Sequence, residues 1–261
     1  MYQSILTEID AGVGIVTLNR PERHNAFDEA MIAELAEALL SMGSDPAVRV
    51  VVISSIGKSF CAGADLNWMR RAAGFDFEQN RRDAGELAEM LRRIAECPKP
   101  VIARVQGPAY GGGVGVIAAC DLAVATFEAR FALTEVKLGL IPAVIGPYVV
   151  NAIGERYARR YMLTAEAFSA AEAYRIGLIH EMVADEAALD AAVGEWVEAI
   201  LKNGPGALSE AKALIRAIAG EPLSPTLIED TVGRIARVRV SPEGQEGIAA
   251  FLEKRKPNWV V

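Results

Sequence analysis

The sequence predicts an α/β protein, and three observations carry that reading. A short unbroken apolar run at residues 50–53, with similar, mostly apolar runs at Val101–Val105, 122–124 and 178–183, has the pattern of strands buried on both faces. Stretches with apolar residues at helical spacing separate most of them. Of the 261 residues, 52% are apolar, enough for one α/β body with a small appendage.

In chain order, alternation over Ile5–Asp10 and residues 13–19, around Asp10-Ala11-Gly12, predicts a hairpin with one face toward a core. Asp28 is placed to cap a helix whose Ile32, Leu35, Leu39 and Met42 form one apolar stripe, and Gly43-Ser44-Asp45-Pro46 ends it. The run at 50–53 is then a buried strand. Residues 114–120 are few and apolar and predict a short helix between the strands at Val101–Val105 and 122–124. Farther on, Ser169 with Glu172 predicts a capping box, Gly177 ends that helix, and Leu189, Val193, Trp196 and Ile200 give the next one an apolar face. After Asn203-Gly204-Pro205-Gly206 only helical pattern remains, over 211–219, 226–240 and 243–254. The expected division is an α/β body over residues 1–200 and a helical region over 201–261, the latter folded back on its own core or packed on a neighbouring subunit.

Composition narrows the function. A formal net charge of −7 argues against nucleic acid as the main ligand, because phosphate affinity rests on clustered Lys and Arg. The N-terminus, Met1-Tyr2-Gln3-Ser4-Ile5, lacks the basic and apolar regions of a signal peptide, and the apolar stretch 138–153 is interrupted by Gly, Pro and Asn, so no membrane span is expected. Cys61, Cys97 and Cys120 lack the paired spacing of a zinc site or disulfide scaffold, and only two histidines are present. A cytoplasmic protein without a metal centre is the expectation.

The stretch from Gln106 through Gly107-Pro108-Ala109-Tyr110 to Gly111-Gly112-Gly113-Val114-Gly115 follows a buried strand, and its glycines let backbone approach a ligand closely. The free N–H groups of the helix behind it would point at what the turn holds, an oxyanion or a phosphate. Gly111, Gly113 and Gly115, followed by Glu135, imitate a dinucleotide fingerprint, but the next strand arrives after barely two helical turns. Gly57-Lys58-Ser59 lacks the earlier glycine of a Walker loop. By themselves three glycines are a tight, closely packed turn.

A second stretch alters that judgement. Ser59-Phe60-Cys61-Ala62-Gly63-Ala64-Asp65-Leu66-Asn67 again places small residues where a strand ends and a helix begins. Two such turns on neighbouring strands can each offer an N–H to one oxygen, an oxyanion hole in which each donor is worth about 3 to 4 kcal/mol of transition-state stabilisation. Asp65 reads as a helix cap rather than a catalyst. Cys61, with neither histidine adjacent in the motif, reads as a small buried filler.

These residues resemble the crotonase, or enoyl-CoA hydratase/isomerase, superfamily over nearly the whole chain. Asn19-Arg20-Pro21-Glu22-Arg23-His24-Asn25-Ala26 looks like its coenzyme loop, Ala62 to Leu66 its first oxyanion segment, and Gly111-Gly112-Gly113 its second. Glu135 with Gly139-Leu140-Ile141-Pro142 looks like the catalytic segment, and Phe251-Leu252-Glu253-Lys254-Arg255 like the C-terminal helix. The resemblance implies a spiral of β-β-α turns with a C-terminal helical trimerisation region, assembled as a homotrimer or dimer of trimers. It implies that the N–H groups of Ala64 and Gly112 hold the thioester oxygen of an acyl-CoA. Arg23, His24 and Ala26 would lie near the coenzyme, with Ala62, Asp65, Leu66 and Gly111 along it, and Phe251 and Lys254 would reach coenzyme bound to a neighbouring subunit. Coenzyme A is then part of the substrate, and no separate cofactor is expected.

One departure bears on the reaction. Hydratases of this family commonly use two glutamates; the second matches Glu135, and the first falls on Gly115. A single carboxylate leaves hydration, its reverse, and double-bond migration between carbons 2 and 4 as competing reactions. The segments around Gly115 and Lys137 look like bacterial methylglutaconyl-CoA or carboxygeranoyl-CoA hydratases, which favours hydration of a branched or carboxylated enoyl-CoA in leucine or acyclic terpene breakdown. Arg70, Arg71 or Lys137 would face the acyl carboxylate, and Asn67, Trp68 and Tyr110 are either acyl-pocket lining or simple packing. Glu86 and Glu89 are replacements for the missing glutamate or, as ordinary helix-face charges, nothing of the kind. A non-catalytic acyl-CoA-binding protein, a decarboxylase and a thioester hydrolase remain alternatives.

Overall fold

The structure, a computed structural model, describes residues 2–260. Met1 and Val261, the outer limits of the two expected regions, lie outside the described residues. The chain opens with the hairpin β1 (Ile5–Asp10) and β2 (Val13–Leu18), followed by helix α1 (Glu29–Ser44) and strand β3 (Val50–Ser55). Helices α2 (Leu66–Ala72) and α3 (Phe77–Ala95) then lead to β4 (Val101–Val105), β5 (Ala109–Tyr110), α4 (Gly112–Ala119), β6 (Leu122–Thr126) and β7 (Arg130–Ala132). A short turn of 3-10 helix (Glu135–Leu138) precedes α5 (Gly146–Thr164), β8 (Phe168–Ser169), α6 (Ala170–Ile176), β9 (Glu181–Val183) and α7 (Glu186–Leu201). Helices α8 (Pro205–Ile218), α9 (Pro225–Val240) and α10 (Pro242–Leu252) close the chain.

The main sheet has the order β1-β2-β3-β4-β6-β9, antiparallel at β1–β2 and parallel from β2 onward. Every residue of β3 is buried, as its unbroken apolar run requires in the middle of a parallel sheet, whereas β1 at the edge buries only Ile5. Alternate residues of β3 serve two cores. Val51 and Ile53 face α1, α3 and α4 in the larger one, and Val50 and Val52 face Leu189, Ala192 and Val193 of α7 in the smaller. Strands β5, β7 and β8 make a small second sheet whose strands of two or three residues carry too little pattern to read from sequence.

Several expectations shift in detail. Helix α4 starts at Gly112, two residues before the apolar run, which makes Gly112 its first residue. Leu178 and Ile179 are buried ahead of the strand rather than in it, so β9 is shorter than its apolar run. At α6 only half of the capping box forms. Ser169 accepts from the Glu172 N–H, but the Glu172 carboxylate turns to Tyr161 and Arg175, where a phenol and a guanidinium offer stronger donors. Helix α8 begins at Pro205, inside the turn expected to precede it, because proline suits the first helical position.

Helix α8 is tied back to its own body. Lys212 donates to Asp121 Oδ2 at 2.6 Å and to the Lys99 carbonyl at 3.3 Å. Helix α10 packs mainly on α8 and α9. No helix among the described residues is long and apolar enough to cross a membrane.

Candidate active site

Strands β3 and β4 are parallel neighbours, Val51 opposite Val101 and Ile53 opposite Ala103, so the loops that leave them emerge at one edge of the sheet. The two loops are hydrogen-bonded along their length. Phe60 N–H donates to the Pro108 carbonyl at 2.9 Å and Tyr110 N–H to the Cys61 carbonyl at 2.9 Å. A third loop, after β2, closes on the first: Ala62 N–H donates to the His24 carbonyl, Phe27 N–H to the Gly63 carbonyl, and Asp65 N–H to the Phe27 carbonyl, at 2.7 to 2.9 Å.

This pairing uses the N–H groups of Ala62 and Asp65 and leaves that of Ala64 without an acceptor among the described residues. Gly112 N–H, at the first position of α4, is likewise without one. The two groups stand at corresponding ends of the paired loops, joined through Phe27. Its backbone bridges to Ala64, and its buried ring would lie 3.2 Å from a Cβ on Gly112. Two free donors beside the positive end of a helix form a cradle for an oxyanion.

Glu135 stands against that cradle. Its Oε1 would lie 3.1 Å from a Cβ on Gly111, and Gly111 has φ +49° and ψ −115°, a backbone conformation that L side chains rarely adopt. Glycine there satisfies both conditions, the turn and the room for the carboxylate. Glu135 Oε2 is buried and accepts no hydrogen bond among the described residues. Burial pushes the Glu135 carboxyl above its ordinary value, and its own backbone N–H offsets this only in part. A half-buried carboxylate with an orphaned oxygen is poised to take and return a proton.

Across α4 the space over Gly115 is filled. A Cβ at that position would meet Ile145 Cγ2 at 2.2 Å. Neither expected substitute for the missing carboxylate reaches it. Glu86 is exposed, and Glu89 is held by Arg92 and Arg93 on the surface of α3, at 2.7 and 2.8 Å.

The remaining residues divide by their contacts. Asp65 caps α2, accepting from the Asn67 and Trp68 N–H groups at 2.8 and 3.2 Å, and pairs with Arg20 at 3.2 Å. Burial raises its carboxyl, but those two N–H groups and the charges of Arg20 and Arg23 outweigh burial and hold it below the ordinary value. Arg23 and His24 are exposed beside the first oxyanion loop, with His24 Nδ1 3.0 Å from Ser59 Oγ, while Ala26 is buried and Ala62 half-buried. Leu66 is exposed at the start of α2. Phe251 is exposed near the C-terminal end of α10, and Lys254 is exposed just beyond it. Trp68 is buried, its indole N–H donating to Asp83 Oδ1, which is packing rather than pocket lining. Arg71 is held by Glu29 and Arg70 donates to Asn67, whereas Lys137 is exposed with no carboxylate partner among the described residues. Burial pushes the Cys61 thiol up to about 12, so it is no nucleophile at neutral pH.

Two residues that order the site carried no sequence signal of their own. Asn25 is fully buried; its Oδ1 accepts from Arg20 N–H, and its Nδ2 donates to the Ile56 and Ser59 carbonyls. Arg20 bridges the Ala26 carbonyl, Asp28 and Asp65. Together they hold the loops after β2 and β3 in register.

The enoyl-CoA hydratase/isomerase family model matches residues 8–260. The crystal structure of an enoyl-CoA hydratase from Shewanella pealeana superposes with a TM-score of 0.96 at 46% identity, covering 98% of this chain and 96% of that one. A 1,2-epoxyphenylacetyl-CoA isomerase of Escherichia coli is 33% identical, with 99% of each chain covered. A crotonyl-CoA hydratase of Syntrophomonas wolfei is 32% identical over 99% of this chain and 98% of its own.

Proposed function

The chain belongs to the enoyl-CoA hydratase/isomerase family, an enzyme of crotonase fold, and from that premise we propose that it adds water across the 2,3 double bond of an enoyl-CoA with Glu135 as its only acid–base carboxylate. The observation that carries this reading is the orphaned, half-buried Glu135 carboxylate beside two free N–H donors. The thioester oxygen sits between the N–H groups of Ala64 and Gly112, which makes carbon 3 electrophilic. Water oxygen bonds to carbon 3 while its proton passes to Glu135, and the π pair moves to carbon 2, held as the enolate. Glu135 then returns the proton to carbon 2. Arg23, His24, Ala26, Ala62, Asp65, Leu66 and Gly111 flank the coenzyme in this reading, Asp65 by holding its loop. No cofactor beyond the coenzyme A of the substrate takes part.

The substrate class we propose is a branched, carboxylated enoyl-CoA such as methylglutaconyl-CoA, with Lys137 as the cation nearest Glu135 in sequence and free of a carboxylate partner among the described residues. We also propose that the C-terminal helical region joins the chain to copies of itself, so that Phe251 and Lys254 reach a neighbour's coenzyme. A second reading, migration of the double bond with Glu135 carrying a proton between carbons 2 and 4, draws support from Ile145, whose hydrocarbon occupies the place of a second water-handling group.

Incubation with 2-enoyl-CoA, 3-enoyl-CoA and 3-methylglutaconyl-CoA in oxygen-18 water separates these readings by mass spectrometry. Hydration gives label at carbon 3, with 3-methylglutaconyl-CoA the preferred substrate. Unlabelled 2-enoyl-CoA formed from the 3-enoyl substrate would replace it with the isomerase reading.

A further inference from the structure

Gly111 is the N-cap of α4, and Gly115 lies four residues on, inside the helix, its N–H donating to the Gly111 carbonyl at 3.2 Å. Glu135 stands over the first and Ile145 over the second. Acid and hydrocarbon therefore each stand against a glycine of the start of α4.

Ile145 is held firmly in that place. It is 3% exposed, it forms the N-cap of α5, and α5 packs on α4. A Cβ on Gly115 would meet Ile145 Cγ2 at 2.2 Å and Ile145 Cβ at 2.8 Å. Because Cβ itself intrudes, no rotamer of this stiff, β-branched side chain makes room, and any residue larger than glycine at 115 requires the backbone to move.

We propose that Ile145 is a specificity-determining residue: by filling the space over Gly115 it denies the site a second acid–base side chain and the water such a group would hold, and so restricts proton transfer to Glu135. The inference rests on the one-carboxylate reading above and deepens it. Gly115 and Ile145 act as a pair in which one residue has no side chain because the other uses its volume.

The test compares wild type, Ile145→Gly, Gly115→Glu and the double variant. Glycine suits position 145, since N-caps accept it and φ there is −81°. With Ile145→Gly the nearest atom left to a Cβ at 115 is the Cα of residue 145, at an ordinary 3.8 Å. Gly115→Glu alone lowers the melting temperature by on the order of 5 °C, and adding Ile145→Gly recovers most of that loss. In oxygen-18 water with crotonyl-CoA, the double variant forms labelled 3-hydroxybutanoyl-CoA at least about tenfold faster than Ile145→Gly alone, the gain expected of an added acid–base group. Gly115→Ala with and without Ile145→Gly reads the same coupling if the glutamate itself prevents folding. Equal melting losses at position 115 in both backgrounds, or a folded double variant that hydrates no faster than Ile145→Gly, would overturn the inference. The coupling is read without turnover, so a wild type that hydrates nothing sinks the hydration reading and leaves the pairing of Gly115 with Ile145 to be judged by melting.

Discussion

Asp65 and Glu135 are both withdrawn from water beside the paired loops, yet their carboxylates are treated in opposite ways. Asp65 accepts two backbone N–H groups and pairs with Arg20, and those partners hold its carboxyl below the ordinary value against the pull of burial. Glu135 has one oxygen with no donor at all among the described residues, and burial pushes its carboxyl up. A carboxylate with every partner in place maintains a fold; one left short of partners is free to exchange a proton with a ligand. Sequence marks Asp65 as a helix cap, but the missing partner of Glu135 is visible only in the structure.

The largest effect expected from this contrast is on Glu135→Gln. Steady-state kinetics should show kcat lower by about 10²–10⁴-fold, the usual worth of one general acid–base group, while the melting temperature does not fall. Asp65→Ala should do the reverse. Loss of the cap alone lowers stability by about 0.5–2 kcal/mol in chemical denaturation, with a smaller loss of kcat/KM as the first oxyanion loop loosens.

Both glycine-rich loops were legible because small residues at the ends of buried strands form a local pattern, and helix caps such as Asp28 and Asp65 announce themselves by type and position. The buried strands, though not their order in the sheet, were legible as apolar runs, which a central strand of a parallel sheet can bury on both faces. What stayed hidden depends on contacts between distant residues. Asn25 and Arg20 join segments about 30 to 45 residues apart, and Ile145 meets Gly115 across two helices. The full extent of α5 was also unread, because its helix runs through Gly154, whose φ of +73° and ψ of 157° break the regular pattern.

pH sharpens the contrast further, and the signs are opposite. Glu135 must be ionised to accept a proton from water, so kcat/KM should fall on acidification at a pH above that of an ordinary glutamate, and Glu135→Gln should erase that limb. Its raised carboxyl opposes folding above its folded-state value and ceases to do so below the ordinary one. Asp65, held low, adds stability above its ordinary value, and that stability is lost as pH falls through the lowered one. Thermal melts of wild type and Asp65→Asn should therefore converge at low pH and diverge toward neutrality. The smallest effect belongs to the surface acids: Glu86→Gln and Glu89→Gln should leave kcat unchanged, and a large loss in either would reveal a second carboxylate in the reaction.

The most direct measurement is exchange of the carbon-2 proton of 3-hydroxybutanoyl-CoA in deuterated water, followed by NMR for wild type and Glu135→Gln. Exchange catalysed by the wild type and abolished in Glu135→Gln, with acyl-CoA affinity retained, is the predicted result. Equal exchange in both would contradict the assignment of Glu135 as the group that serves carbon 2.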